Sequence, residues 1–121
     1  MATILVIDDD DALRSMLRRT LQRAGYDVVE AADGSAALRA LGGATMDLVI
    51  TDIVMPNMEG IETIRALRRS SPHLKIIAIS GGGRIGPEGY LEVAKHFGAF
   101  RVLRKPFDNA ELLASIEEAL A

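Results

Sequence analysis

The chain has 121 residues, 49% of them apolar and 26% charged, with a formal net charge of −3. That length suits one domain, 1–121, able to bury about two-thirds of its surface. The absence of cysteine excludes disulfides, thiolate metal sites and a cysteine nucleophile, and the apolar runs fall well short of the ~20 residues that cross a membrane.

The start, "MATILVIDDDD", lacks the basic segment and cleavage site of a secretory signal, so a cytoplasmic protein without membrane partners is expected. The charge is unevenly placed. Four of the 17 acidic residues are consecutive, Asp8 to Asp11, while the rest nearly balance the 14 basic ones. The acidity is a local feature, and it stands directly behind an apolar run where ionised carboxylates are costly.

Apolar runs alternate with helical patterns along the chain. "TILVI" (3–7) is apolar and β-branched at nearly every position, as a strand covered on both faces would be. Leu13, Met16, Leu17, Leu21 and Ala24 then recur at three- and four-residue spacing, and Gly25 stands where a helix-ending glycine belongs. "YDVVEA" predicts a second strand, "SAALRAL" a short helix closed by Gly42 and Gly43, and "DLVITD" (47–52) a third strand. Ile61, Ile64 and Leu67 mark a helix ended by Ser70, Ser71 and Pro72, with Arg65, Arg68 and Arg69 on its wet face. "KIIAIS" (75–80) is a fourth strand. A glycine-rich loop, "GGGRIGPEG", precedes a helix over Tyr90, Leu91, Ala94 and Phe97, and "RVL" is a fifth strand. Leu112, Leu113, Ile116 and Leu120 line the last helix. Five buried strands, each followed by a helix, predict an α/β domain with a parallel sheet covered on both faces.

In such sheets ligands bind at the carboxyl ends of the strands, near the reversal of strand order. Those ends carry Asp8 and Asp9 after the first strand, Asp52 on the third, Ser80 on the fourth and Lys105 after the fifth. Three carboxylates this close would repel unless a cation joined them. Mg²⁺ (or Mn²⁺) suits them, because it binds through few carboxylates and keeps waters that a phosphate can displace. A carboxylate held against such a cation and an ammonium is a candidate phosphoryl acceptor.

At these residues the chain resembles the receiver domains of two-component response regulators. The resemblance runs from Ile4 to about Leu120. It rests on "ILVIDDDD", on the D-x-x-M-P-x-M-x-G pattern of "DLVITDIVMPNMEG", on "IIAIS" and on "LRKPF". It implies a flavodoxin-like (βα)5 doubly wound sheet of order 2-1-3-4-5, and a signalling switch whose only catalysis is of its own phosphorylation and dephosphorylation. Asp52 would accept the phosphoryl group from a sensor histidine kinase or phosphotransfer protein. Asp9, Asp52 and the backbone carbonyl of Val54 would bind Mg²⁺ directly, with Asp8 acting through water. Ser80 and Lys105 would contact the phosphoryl group, and the Lys105–Pro106 bond would be cis. Asp10 and Asp11 are left as helix cap and first turn.

Two positions depart from the family pattern. An aromatic residue whose rotamer tracks activation usually stands three before the lysine; here it is Val102. Phe100 is two residues earlier, on the same side of an extended strand. The segment after Ser80 is also long and opens with Gly81, Gly82 and Gly83. The switch region is therefore expected over Ser80, Gly81, Gly82, Gly83 and Val102, with the 81–89 loop ordering on phosphorylation. No output domain is expected within the chain. A downstream protein would dock on the face of the 90–97 helix, the fifth strand and the last helix, and without a basic reader helix direct nucleic-acid binding is not expected. His73 and His96 have no metal-ligand spacing. The alternatives are a receiver-like interaction module that is never phosphorylated, and a small Mg²⁺-dependent aspartyl-phosphate hydrolase of the haloacid dehalogenase type. Against the latter, Ala12 stands where that pattern has Thr or Val.

Overall fold

Alternate positions along the strands feed two separate cores, and that parity makes the sheet the central layer of the molecule. The computed structural model describes residues 2–43, 45–52, 59–80 and 98–121. Its strands are β1 (Thr3–Ile7), β2 (Asp27–Ala31), β3 (Leu48–Asp52), β4 (Lys75–Ser80) and β5 (Arg101–Arg104). The helices among these residues are α1 (Asp11–Arg23), α2 (Gly34–Gly43), α3 (Glu59–Ser70) and α4 (Asn109–Leu120).

On one face Leu5, Ile7, Val49, Ile76 and Ala78 pack with Ala37 of α2 and with Ile64 and Leu67 of α3. On the other, Ile4, Val6, Leu48, Ile50, Ile77, Ile79 and Leu103 meet Leu17 and Leu21 of α1 and Leu112, Ile116 and Ala119 of α4. Each fully buried Leu or Ile contributes about 1.5–3 kcal/mol, so strand residues apolar on both faces hold the layers together.

All pairings are parallel, in the order β2-β1-β3-β4-β5. β1 lies between β2 and β3, so the chain leaves it first toward one edge and then toward the other. The crevice that this reversal opens is at the carboxyl ends of β1 and β3, where Asp8 and Asp52 stand.

Local chemistry sets the helix ends. Asp10 caps α1, its side chain accepting from the Ala12 and Leu13 N–H groups at 3.0 and 3.2 Å, and Asp108 caps α4 by accepting from Glu111 N–H at 2.7 Å. α1 stops where Gly25 takes φ 97°, a conformation open to glycine at little cost. Gly42 and Gly43 belong to the last turn of α2 and do not stand beyond it. The edge strands are less buried than β1 and β3: β2 is partly exposed, and β5 buries Leu103 but exposes Arg101 and Arg104. Met16 is 41% exposed although it fits the helical apolar spacing, because α1 turns only Leu17 and Leu21 fully into the core. Arg68 is not on the wet face of α3. Its guanidinium donates to the carbonyls of Pro72 (3.2 Å) and Leu74 (2.8 Å) and to that of Gly98, tying the end of α3 to the approach to β5. Among the described residues no helix is long and apolar enough to cross a membrane. The predicted helix over 90–97, with His96, and the 81–89 loop lie outside the described residues.

Candidate metal and phosphoryl site

β1 ends in a buried apolar run, so the residue that follows it leaves the core still largely enclosed. Asp8 is 1% exposed. Its backbone N–H continues the sheet pairing by donating to Ala31 O at 3.1 Å, and its Oδ1 accepts from the Asp10 N–H at 2.8 Å. Its other oxygen, Oδ2, is buried and, among the described residues, is the side-chain polar atom left without a hydrogen-bond partner. Such an atom carries the full desolvation penalty unless something outside the chain meets it. Asp9 follows on the surface, and Asp52 at the end of β3 is 6% exposed.

Carboxylate oxygens of Asp8, Asp9 and Asp52 lie within 4.8 Å of one another. Burial, first of all, raises the Asp8 carboxyl above its ordinary value. The Asp10 N–H opposes this, the Asp52 charge adds to it, Lys105 offsets part and Asp9 adds a little more. Lys105, just past β5, places Nζ 3.3 Å from Asp52 Oδ2 and so brings one cation to three carboxylates. Its bond to Pro106 is cis, as the family resemblance implied.

The donor set is all oxygen and mostly anionic, with one buried oxygen lacking a partner. That fits a hard divalent cation such as Mg²⁺ and not a soft metal. Asp8, Asp9 and Asp52 are the described residues able to hold it.

The remaining expected site residues are less completely described. Ser80 ends β4 opposite Arg104, one residue beyond the Asp52–Ile79 pair, which puts its backbone at the same edge; its side chain lies outside the described residues, as do Val54, Gly81, Gly82 and Gly83. Val102 pairs with Ala78 and is half-buried against the α2–α3 core. Phe100 is not on a strand beside it. It precedes β5, donates its N–H to Ile76 O at 2.8 Å and is 40% exposed, with Lys75 Nζ 4.8 Å from the ring centroid. That puts it at the amino-terminal end of β5, away from Lys105.

One participant is absent from any linear motif. Arg14 on α1 donates through Nη1 to the Asp8 carbonyl at 2.7 Å, and its Nε reaches Glu30 of β2 at 3.3 Å. The partners are 16 positions apart, and no short spacing joins a helix to a neighbouring strand.

An acidic cluster at the reversal point of a 2-1-3-4-5 parallel sheet, faced by a lysine from the last strand's end, defines a flavodoxin-like α/β domain with a concentrated acidic site at its carboxyl edge. Residues 4–117 match the response regulator receiver domain, and the chain belongs to that family of phosphoacceptor signalling switches. DNA-binding transcriptional regulator NtrC of Azospirillum brasilense is 39% identical over 119 residues, 98% of this chain and 24% of that protein. Response regulator receiver protein CpdR of Brucella abortus is 35% identical over 120 residues, 99% of this chain and 98% of that protein. The solved structure of chemotaxis protein CheY4 of Vibrio cholerae superposes with a TM-score of 0.88 at 38% identity, covering 99% of both chains. The chain thus spans about a quarter of NtrC and nearly all of CpdR.

Proposed function

We propose that Asp52 is the phosphoacceptor of this chain, that Asp8, Asp9, Asp52 and the Val54 carbonyl hold Mg²⁺ beside it, and that Ser80 and Lys105 contact the transferred group. The observation that carries this reading is the convergence of three carboxylates within 4.8 Å with the Lys105 ammonium 3.3 Å from Asp52. When bound, the cation neutralises charge on the phosphoryl oxygens.

The rest is the work of the chain. An Asp52 oxygen bonds to phosphorus as the bond from phosphorus to the donor's leaving group breaks. Burial of Asp52 keeps it oriented by the end of β3, and its ion pair with Lys105 holds a positive charge where the new phosphoryl oxygens arrive. Positioning and electrostatics supply most of the catalysis in such transfers. The donor is a sensor histidine kinase or phosphotransfer protein, in keeping with the family. The output is a protein partner docking on a face that includes β5 and α4, whose conformational populations the phosphoryl group shifts by about 1–3 kcal/mol. We read 1–121 as one receiver unit acting in the cytoplasm, with no output domain inside it.

The test is phosphorylation by acetyl phosphate with Mg²⁺, resolved on a phosphate-affinity gel beside Asp52→Asn. A retarded, base-labile band in the wild type alone supports the assignment. An equal band in Asp52→Asn, or none in a wild type that binds Mg²⁺ and is offered its kinase, overturns it.

A further inference from the structure

The guanidinium of Arg14 reaches three separate parts of the fold. Nη1 donates to the Asp8 carbonyl at 2.7 Å, Nη2 pairs with Asp11 Oδ1 at 2.6 Å, and Nε pairs with Glu30 Oε1 at 3.3 Å. The side chain is only 15% exposed, whereas Asp11 is 84% exposed. Glu30 is itself shared, its Oε2 lying 3.0 Å from Arg18 Nη1.

The bond to Asp8 matters most for the site. The Asp8 carbonyl belongs to the peptide that joins the two clustered aspartates. The groups on either side of that peptide are also held: Asp8 N–H by Ala31 O at 3.1 Å, and Asp10 N–H by Asp8 Oδ1 at 2.8 Å. Arg14 supplies the tie between them. If the 8–9 peptide rotates, the directions of the Asp8 and Asp9 side chains change with it. Asp9 is exposed, so its aim depends on the backbone beneath it.

We propose that Arg14 is a positioning residue for the acidic site, locking the Asp8–Asp9 peptide so that both carboxylates face Asp52, with Glu30 of β2 as its anchor. This rests on the reading of Asp8, Asp9 and Asp52 as the Mg²⁺ site. A planar guanidinium sends its donors in fixed, divergent directions, so it can span a helix, a loop and a strand at once. A lysine ammonium in its place keeps the charge but cannot hold all three acceptors in those directions.

The experiment measures Mg²⁺ affinity of the metal-free protein, well below its melting temperature, for wild type, Arg14→Ala, Arg14→Lys and Glu30→Gln. Thermal melts in chelator are run beside it. Residues that orient metal ligands through a hydrogen bond typically cost 10–100-fold in affinity when removed. Arg14→Ala is therefore expected to weaken Mg²⁺ by about tenfold or more. Arg14→Lys recovers little of the loss, and Glu30→Gln loses less because the Asp8 bond remains.

The backbone amide resonance of Asp9 should shift in Arg14→Ala before any metal is added. Unchanged Mg²⁺ affinity in Arg14→Ala, with only a lower melting temperature, overturns the proposal and leaves Arg14 a structural tie. If Arg14→Ala does not fold, full affinity in Arg14→Lys overturns it equally. A wild type that binds no Mg²⁺ overturns the reading of the acidic cluster itself, and with it this inference; that result appears before any variant is compared.

Discussion

Replacing Asp8 by Asn should make the metal-free protein more stable, although it removes the charge of a buried, hydrogen-bonded carboxylate. Asn keeps an oxygen to accept the Asp10 N–H, now at 2.8 Å from Oδ1. In place of the unpartnered Oδ2 it offers an amide N–H to the neighbouring carboxylates. Two unit charges at the 4.8 Å limit of the cluster repel by about 1 kcal/mol in water and about 3 kcal/mol at an effective dielectric of 20. Asp8 meets two such neighbours, Asp9 and Asp52, against a single partly exposed Lys105. Adding relief from desolvation, and allowing for the Lys105 attraction that is lost, the expected net gain is about 1–2 kcal/mol.

For a chain of this size, that gain raises the melting temperature by about 4 °C per kcal/mol. The pH dependence has a definite sign. Burial raises the Asp8 carboxyl above its ordinary 3.8, so between those two values the folded state holds more protons than the unfolded chain. Stability contributed at Asp8 then falls as pH rises through that window. The wild type should match Asp8→Asn below the window and fall behind it above. Mg²⁺ reverses the order once it is well above saturation: at about a hundred times its dissociation constant it stabilises the wild type by about 2.7 kcal/mol, and the variant by less. Urea denaturation in chelator and in Mg²⁺, from acid to neutral pH, measures both effects. An Asp8→Asn protein less stable than wild type in chelator at neutral pH would refute the reasoning, because the attraction of Lys105 and of the Asp10 N–H for a charged Asp8 would then outweigh repulsion and burial.

Asp10→Ala removes the cap that serves the Ala12 and Leu13 N–H groups; it should cost about 1 kcal/mol and leave Mg²⁺ affinity within a factor of two or so, checked by melts and metal titration. Gly98→Ala is expected to destabilise by about 1–2 kcal/mol, since φ there is +64° and the new Cβ would stand 3.4 Å from the Arg68 guanidinium. Equal melting temperatures for Gly98→Ala and wild type would show that this turn relaxes freely.

Much of the molecule was legible in the chain itself because the signals are local. "TILVI" and "KIIAIS" are strands at the bounds their apolar runs suggest. Asp10 is a cap because its side chain needs only the next two or three N–H groups, and Gly25 ends α1 because a single residue must take positive φ. Alternating strands and helices impose the parallel sheet, and the sheet then gathers whatever ends its strands. Asp8, Asp9, Asp52 and Lys105 were therefore readable as one site from their places in order.

What the tertiary structure alone decided depends on groups that meet across elements. Sequence spacing could not show that Met16 is exposed while Leu17 and Leu21 are buried, since that follows from how α1 lies on the sheet. Nor could it show Phe100 stacked beside Lys75 at the amino-terminal end of β5. Arg68, one of three basic residues on α3, is distinguished only by the carbonyls that α3 brings within its reach. The link from Glu30 through Arg14 to the Asp8 carbonyl exists because α1 packs beside β2. Helical and strand periods are short-range properties of one segment; a hydrogen bond between a helix, a loop and a strand is set by the packing of all three.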